Sequence, residues 1–308
     1  MKDVLPYLIA RMHFEKGMSQ NDIAYKLNLS KMTVSRNIQR AKDLNIVKIA
    51  VDEPFDLNQK LSDKIIASYN IQEAIIIKYD KKEVKDIQDY VGQVYSLYLG
   101  LSMLDNFVLG IGGGDTIGTV VRYMMPIKMK NLHAVQLMGG LSNVTFYNPT
   151  SIIQEVCKKL NAKGTYITSF ATVENKKMRD SIMNNSIMGK KVTELWTKCD
   201  KSLFGLGVIN KGTLLSPELV GQDEIDKLCE LGAIGDILGH CFDYKGDFIF
   251  SELEDRLISI PISSLRKIKS RVLVAAGEEK ADAIKGALLS GIVTELITDE
   301  LTASMILK

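Results

Sequence analysis

The sequence predicts a two-part α/β protein. A small helical unit over residues 1–55, winged-helix-like in its helix-turn-helix pattern, precedes a doubly wound, mostly parallel Rossmann-like domain over residues 56–308. Three observations carry this. Capping residues and apolar positions recur at helical spacing over residues 19–44. After Pro54, short apolar runs alternate with longer helical stretches, the signature of strand–helix units in a parallel sheet. Basic residues gather in the first part: residues 1–55 hold nine Lys or Arg against six Asp or Glu, whereas the remaining 253 hold 30 against 31.

The first helix is expected to present Leu5, Leu8, Ile9 and Met12 on one face. Ser19 then caps a second helix with Asp22 in its first turn, and Ile23, Ala24 and Leu27 form the buried side. Ala24 is small where a further helix must cross closely. Asn28 sits at the turn, where a left-handed backbone is needed and Asn tolerates it. Ser30 caps a third helix of about residues 31–44, whose Val34, Ile38 and Ala41 face inward. Residues 46–51 suit a short strand or wing.

The outward side of that third helix has the chemistry of a recognition helix. Within residues 26–48 there are six basic residues and only Asp43 opposes them, a local charge that suits a polyanion. Short hydroxyls near the helix start can approach base edges, Arg36 can make a bidentate contact to guanine, and Arg40 and Lys42 suit phosphates. The candidate contacts to double-stranded DNA are Ser19, Lys31, Thr33, Ser35, Arg36, Gln39, Arg40 and Lys42. An ordinary helical hairpin with a solvated basic face is the plainer alternative, and the agreement of caps, turn, periodicity and charge argues against it.

In the second part, strands are expected over 75–78, 107–111, 134–138, 165–168, 202–207, 271–276 and 294–298. Helices are expected over 84–104, 149–160 and 278–289. Several strands are apolar throughout, as strands buried on both faces must be. In such sheets ligands bind beyond the carboxyl ends of the strands, and three strands run into glycine-rich loops there. The first is Gly112, Gly113, Gly114, Asp115 and Thr116, leading into a helix whose N-terminal amides can hold an anion. The second is Gly139, Gly140 and Leu141. The third follows Gly277 and carries Lys280, a cation placed where the helix dipole alone does not favour it. From Gly110, the sixth position of a dinucleotide fingerprint is Asp115 rather than glycine, so that motif is absent. A further segment, 232–239, can bring Asp236 to a sugar hydroxyl or use it to cap a turn. Three such loops together point to a phosphorylated ligand.

The sequence also narrows the function classes. The uncharged run 90–104 is shorter than the roughly 18 residues of a membrane span, and Asp3, Arg11 and Glu15 interrupt any secretory leader. Cys157, Cys199, Cys229 and Cys241 have neither CxxC spacing nor paired histidines, so no metal or disulfide framework is expected and a reducing cytoplasm is. No cofactor is expected either.

These residues resemble the SorC-type, or sugar-binding-domain, transcription regulators. The resemblance runs from the helix-turn-helix through GIGGGDT at 110–116, QLMGG at 136–140, Asn148-Pro149, GAIGDILG at 232–239, AAGEEKADAIKGAL at 275–288 and LITDELTA at 296–303. It implies a DNA reader fused to a domain like the sugar-phosphate isomerases, assembled as dimers or tetramers, with a phosphorylated sugar as effector. By motif position the effector contacts fall on residues 112–116, on Gly139, Gly140 and Leu141, and on Asn148, Asp236 and Lys280. Members whose effector carries two phosphates place an arginine just before the glycine pair. Here Met138 stands in that place, which favours a monophosphate or a smaller polyol.

A sugar-phosphate isomerase or deaminase-like enzyme is the alternative, since fold alone does not assign catalysis. Aldose–ketose chemistry needs a poised base and acid. His13, His133 and His240 are the only histidines and none has an evident orienting partner in sequence, although Asp115, Asp236 and Lys280 can form an acid/base set. A third possibility is a constitutive DNA binder whose second part only oligomerises, and the anion-type loops argue against it.

Overall fold

A computed structural model describes residues 3–49, 55–80, 86–141, 148–209 and 215–308. The chain divides into two compact units, residues 1–54 and 55–308.

In the smaller unit, α1 (Val4–Ala10) continues into a π-helical turn over Arg11–Glu15, followed by α2 (Gln20–Leu27) and α3 (Lys31–Asp43). Both predicted caps form. Ser19 Oγ accepts from Asp22 N at 3.2 Å and donates to the Asp22 carboxylate at 2.7 Å, and Ser30 Oγ accepts from Thr33 N at 3.1 Å. Asn28 ends α2 in the left-handed conformation, φ +51°. Ile9, Met12, Ile23, Val34 and Ile38 make the small core. Two expectations fail here. Leu5 and Leu8 are 38% and 41% exposed, because the helix seats the stripe of Pro6, Ile9 and Ala10 inward and rotates both leucines out. The described part of the expected wing, 46–49, contains no strand, and residues 50 and 51 lie outside the described residues.

The larger unit opens with α4 (Gln59–Tyr69), β1 (Glu73–Ile77), α5 (Ile87–Ser102), β2 (Val108–Ile111), α6 (Asp115–Tyr123) and β3 (His133–Gln136). It continues with α7 (Pro149–Leu160), β4 (Lys163–Thr165), α8 (Lys176–Asp180), α9 (Ile187–Trp196), β5 (Lys201–Phe204) and β6 (Gly207–Val208). Then come α10 (Pro217–Val220), α11 (Gln222–Glu230), β7 (Gly235–Ile237), β8 (His240–Phe242), α12 (Ile262–Leu265), β9 (Ser270–Val274), α13 (Ala281–Leu289), β10 (Glu295–Asp299) and α14 (Glu300–Ile306).

Seven strands form one parallel sheet in the order β1-β10-β9-β5-β2-β3-β4. Alternate side chains enter different cores, which is why the central stretches of β1, β2, β9 and β10 are mostly apolar on both faces. Ile75, Leu109, Val272 and Ile297 pack with α5, α6 and α7 on one face. Ala74, Ile76, Leu273 and Leu296 pack with α4, α9, α13 and α14 on the other. Each of the valine, leucine and isoleucine side chains among them contributes about 1.5–3 kcal/mol on burial.

The expected strand over 202–207 is divided. β5 stops at Phe204, and Gly207–Val208 pairs antiparallel with β7, which pairs with β8, in a second sheet of three short strands. The expected helix over 278–289 likewise begins as a 3-10 turn, Glu278–Lys280, before α13. At the N-terminal ends of the parallel strands, Lys201 and Glu295 form a buried ion pair at 2.8 Å, and Ser270 donates to the same carboxylate. The pair locks β5, β9 and β10 at the sheet's lower edge.

Candidate functional site

The chain lays β2, β3 and β4 to one side of the sheet and then returns to place β5, β9 and β10 on the other. The switch falls between β2 and β5. At such a point the loops leaving neighbouring strands diverge and leave a crevice at the carboxyl ends. A cavity of about 360 Å³ lies there, lined by loops from β2, β3, β5 and β9, by Gln88 of α5 and by the β7–β8 hairpin. Its size is that of an ordinary small-molecule pocket.

Part of the cavity lining is rich in donors, with one lysine beside the carboxylates of Asp115 and Glu279. Gly114 precedes α6 with φ +106°, a conformation glycine adopts without strain. The helix start beyond it carries amide N–H groups with no partner within the helix. Lys280 Nζ donates to Gln88 Oε1 at 2.9 Å, Thr116 Oγ1 donates to the same oxygen at 3.4 Å, and Gln88 Nε2 donates to Glu279 at 3.4 Å. Gln88 thus ties the starts of α5, α6 and the 278–280 turn into one wall. Burial lowers the Lys280 ammonium from its ordinary pKa, while Glu279, Asp115 and Asp86 pull it back up. A bound anion would also favour the charged form.

Asp236 lines the same cavity. Its Oδ2 accepts from Gly239 N at 2.9 Å, a bond made possible by left-handed Leu238 and Gly239, φ +54° and +88°. Burial pushes the Asp236 carboxyl up to about 6, against the pull of the Gly239 N–H and of His240. Gly207 is needed alongside, since a Cβ there would lie 2.1 Å from Asp236 Oδ1. Met138, Leu141, Leu206, Val208 and Leu238 supply an apolar wall.

Of the residues singled out from the sequence, Gly113, Gly114, Asp115, Thr116, Leu141, Asp236 and Lys280 line the cavity. Gly112, Gly139, Gly140 and Asn148 do not line it. Gly139 N donates to Ile258 O at 2.8 Å and Gly140 N to Ser169 O at 2.8 Å, so these amides are spent on backbone pairing. A Cβ on Gly139 would sit 2.3 Å from Phe170 O, and one on Gly112 would sit 2.7 Å from Leu238 Cδ2. Close packing explains these glycines. The second loop therefore brings Met138 and Leu141 rather than anion donors. Asn148 caps α7, accepting from Thr150 N at 3.2 Å, and donates to Leu141 O at 2.9 Å, which holds the loop from behind.

Sequence reasoning missed Gln88 and residues 205–208. The Gly-Leu-Gly at 205–207, directly after an apolar run, was a signal for the latter; nothing local marks Gln88. It also missed that His240 has a partner. His240 Nδ1 lies 3.0 Å from Glu254 and Nε2 lies 2.9 Å from Ile260 O, so protein acceptors occupy both ring nitrogens. It borders a separate, smaller cavity. Among the described residues, no group of acidic, His and Cys side chains could hold a metal ion, and no helix is long and apolar enough to cross a membrane.

On α3 of the smaller unit, Lys31, Ser35, Arg36, Gln39, Arg40 and Lys42 are exposed. Several are already engaged. Arg40 pairs with Asp3 at 3.3 Å, Gln39 Nε2 donates to Asp43 at 2.9 Å, and Lys42 lies over the Phe14 ring. Thr33 Oγ1 is 2.8 Å from Ser30 Oγ, and Ser19 is committed to its cap. Of the candidate contacts, Lys31, Ser35 and Arg36 are left uncommitted among the described residues.

The fold is an α/β domain with a cavity at its switch point, preceded in the chain by two capped helices joined by a tight turn. Residues 53–308 match the family described as "Putative sugar-binding domain", and the chain belongs to this sugar-binding-domain family, the SorC type. It is 28% identical to the deoxyribonucleoside regulator of Bacillus subtilis, over 98% of this chain and 96% of the relative. It is 25% identical to the sorbitol operon regulator of Klebsiella pneumoniae, over 97% and 96%. The solved full-length sorbitol operon regulator SorC of Klebsiella pneumoniae has the same fold, with a TM-score of 0.76 at 24% identity over 99% of this chain and 98% of that one.

Proposed function

We propose that this chain is a DNA-binding transcription regulator of a carbohydrate-utilisation operon, whose affinity for its operator is set by a phosphorylated sugar. The observation that carries the ligand side is that the α6 N-terminus, Thr116 and Lys280 line one cavity together with Asp236, Thr116 and Lys280 being joined through Gln88. The first group suits a phosphate, by helix dipole, amide donors and one ammonium. The buried carboxylate suits sugar hydroxyls, each of which can donate to it. A single lysine among these donors suits a monophosphate. The DNA side rests on the exposed stripe of α3, with Arg36 as base reader and Lys31, Arg40 and Lys42 toward phosphates. The relatives named above are regulators by name.

Two or four copies, joined through their larger units, would present paired α3 helices to half-sites about one helical turn, roughly 34–36 Å, apart or a multiple of it. A ligand that ties the α6 start to Lys280 and Asp236 links elements from both halves of the sheet, and so can favour one arrangement of subunits over another. In this reading the protein is not an enzyme, in keeping with the names of its relatives; Asp115, Asp236 and Lys280 nevertheless line the same cavity, so turnover is the outcome that would overturn it.

A thermal-shift screen of the full chain against phosphorylated and free sugars, followed by operator binding with each hit, tests this. A sugar phosphate at 100 times its Kd should add about 2.7 kcal/mol to stability and alter DNA affinity while remaining intact. Conversion of the sugar phosphate would transfer the site to the isomerase or deaminase class.

A further inference from the structure

The recognition stripe of α3 contains an apolar residue that no packing role absorbs. Val34, Ile38 and Ala41 are the buried positions of the helix. On the opposite side, Met32, Ser35 and Arg36 stand at i, i+3 and i+4, one surface patch over the first turn and a half. Met32 is 64% exposed. An isolated exposed methionine carries little information; this one shares its patch with two polar side chains that the smaller unit leaves uncommitted, whereas Thr33, Gln39 and Arg40 are engaged. The surrounding charge is basic, so the partner this patch complements is a polyanionic duplex.

Among the base edges in the major groove, the thymine C5-methyl is the apolar group, and it is read by apolar side chains. A flexible thioether in the first turn of a helix lying in that groove reaches such a methyl without needing a fixed hydrogen-bond geometry. We propose that Met32 is a specificity-determining residue of the operator-reading function: it packs on a thymine methyl beside the guanine read by Arg36. Residues 32 and 36 are about 6 Å apart along the helix axis at ~1.5 Å per residue, and base pairs rise about 3.4 Å. The thymine therefore lies one or two base pairs from the guanine. This inference rests on the DNA-reading proposal above, and its test separates the two.

The full chain is used to select duplexes from a random library, and each dT of the selected half-site is then replaced by dU, which removes only the methyl. At one position, one or two base pairs from the guanine that Arg36→Ala ceases to discriminate, dU should weaken wild-type binding about three- to tenfold, or about 0.7–1.4 kcal/mol. Met32→Ala should bind the dT and dU duplexes equally, and Met32→Leu should keep the difference. The side chain is largely exposed, so both variants should melt like the wild type. If no dT to dU change matters, or if Met32→Ala retains the penalty, the thymine inference is overturned while selective DNA binding stands. If no sequence is enriched at all, the DNA-reading proposal falls and takes this inference with it.

Discussion

Asp236 sits where folding opposes its own charge, and Asp236→Asn separates that cost from its use. Burial pushes the carboxyl from an ordinary 3.8 up to about 6. At ~1.36 kcal/mol for each tenfold change in proton affinity, a rise of that size corresponds to about 3 kcal/mol. Because the folded pKa is raised, the folded chain favours the protonated acid. Its contribution is complete below about pH 4 and is lost as the pH climbs through about 6. Asparagine cannot ionise, yet its carbonyl still accepts from Gly239 N. The variant should therefore equal the wild type near pH 4 and exceed it by up to about 3 kcal/mol at pH 8. In the larger unit that corresponds to a rise in Tm of about 2–4 °C per kcal/mol. Urea denaturation followed from about pH 4.5 to 8, wild type against variant, measures the difference directly. If Asp236 serves the ligand, the stabilised variant should also bind sugar phosphate less well, since an amide replaces an acceptor with a donor on one side. A variant less stable than the wild type at about pH 8, or one that keeps the wild-type pH slope between about 4.5 and 7, would refute the assignment of that cost to this carboxyl.

Lys280→Met should weaken binding of a phosphorylated sugar tenfold or more, in line with the roughly 1.5–3 kcal/mol of a charged hydrogen bond, and should barely change binding of the free sugar; calorimetric titration of both ligands checks this. Gly139→Ala places a Cβ 2.3 Å from Phe170 O, and since backbone must move, a loss of at least about 1–3 kcal/mol in stability is expected by denaturation. Lys201→Met leaves the buried Glu295 carboxylate without its cation, with only Ser270 still donating to it, and should cost about 3–5 kcal/mol, whereas the double variant with Glu295→Leu should recover most of that in a mutant cycle.

How much of the fold and site was legible in the sequence follows from the range of the interactions involved. The caps at Ser19 and Ser30 and the left-handed Asn28 are contacts within four residues, so the sequence contains both partners and their spacing. The apolar strands β1, β2, β9 and β10 were legible for a similar reason: burial on both faces imposes composition residue by residue. Glycine was ambiguous, because the same residue answers two demands. Gly114 adopts a backbone conformation that a ligand loop needs, while Gly139 makes room for Phe170, thirty-one residues later in the chain. Leu5 and Leu8 were misplaced because periodicity gives the spacing of a face and leaves its rotation to whatever the helix packs on.

Local spacing thus carries the caps and turn of the first unit, the parallel α/β architecture, and the loops that hold Asp115, Thr116, Asp236 and Lys280. Packing between distant elements sets the rest: Gln88 joins Lys280 to Thr116 across 192 and 28 residues of chain, and the loop after β5 stands at the pocket where the Gly139–Gly140 amides were expected. It also holds His240 between Glu254 and a carbonyl at the edge of another cavity. These are contacts between elements distant in sequence, brought together by the order of strands in the sheet, and strand order is fixed by the packing of whole faces rather than by any local run of residues.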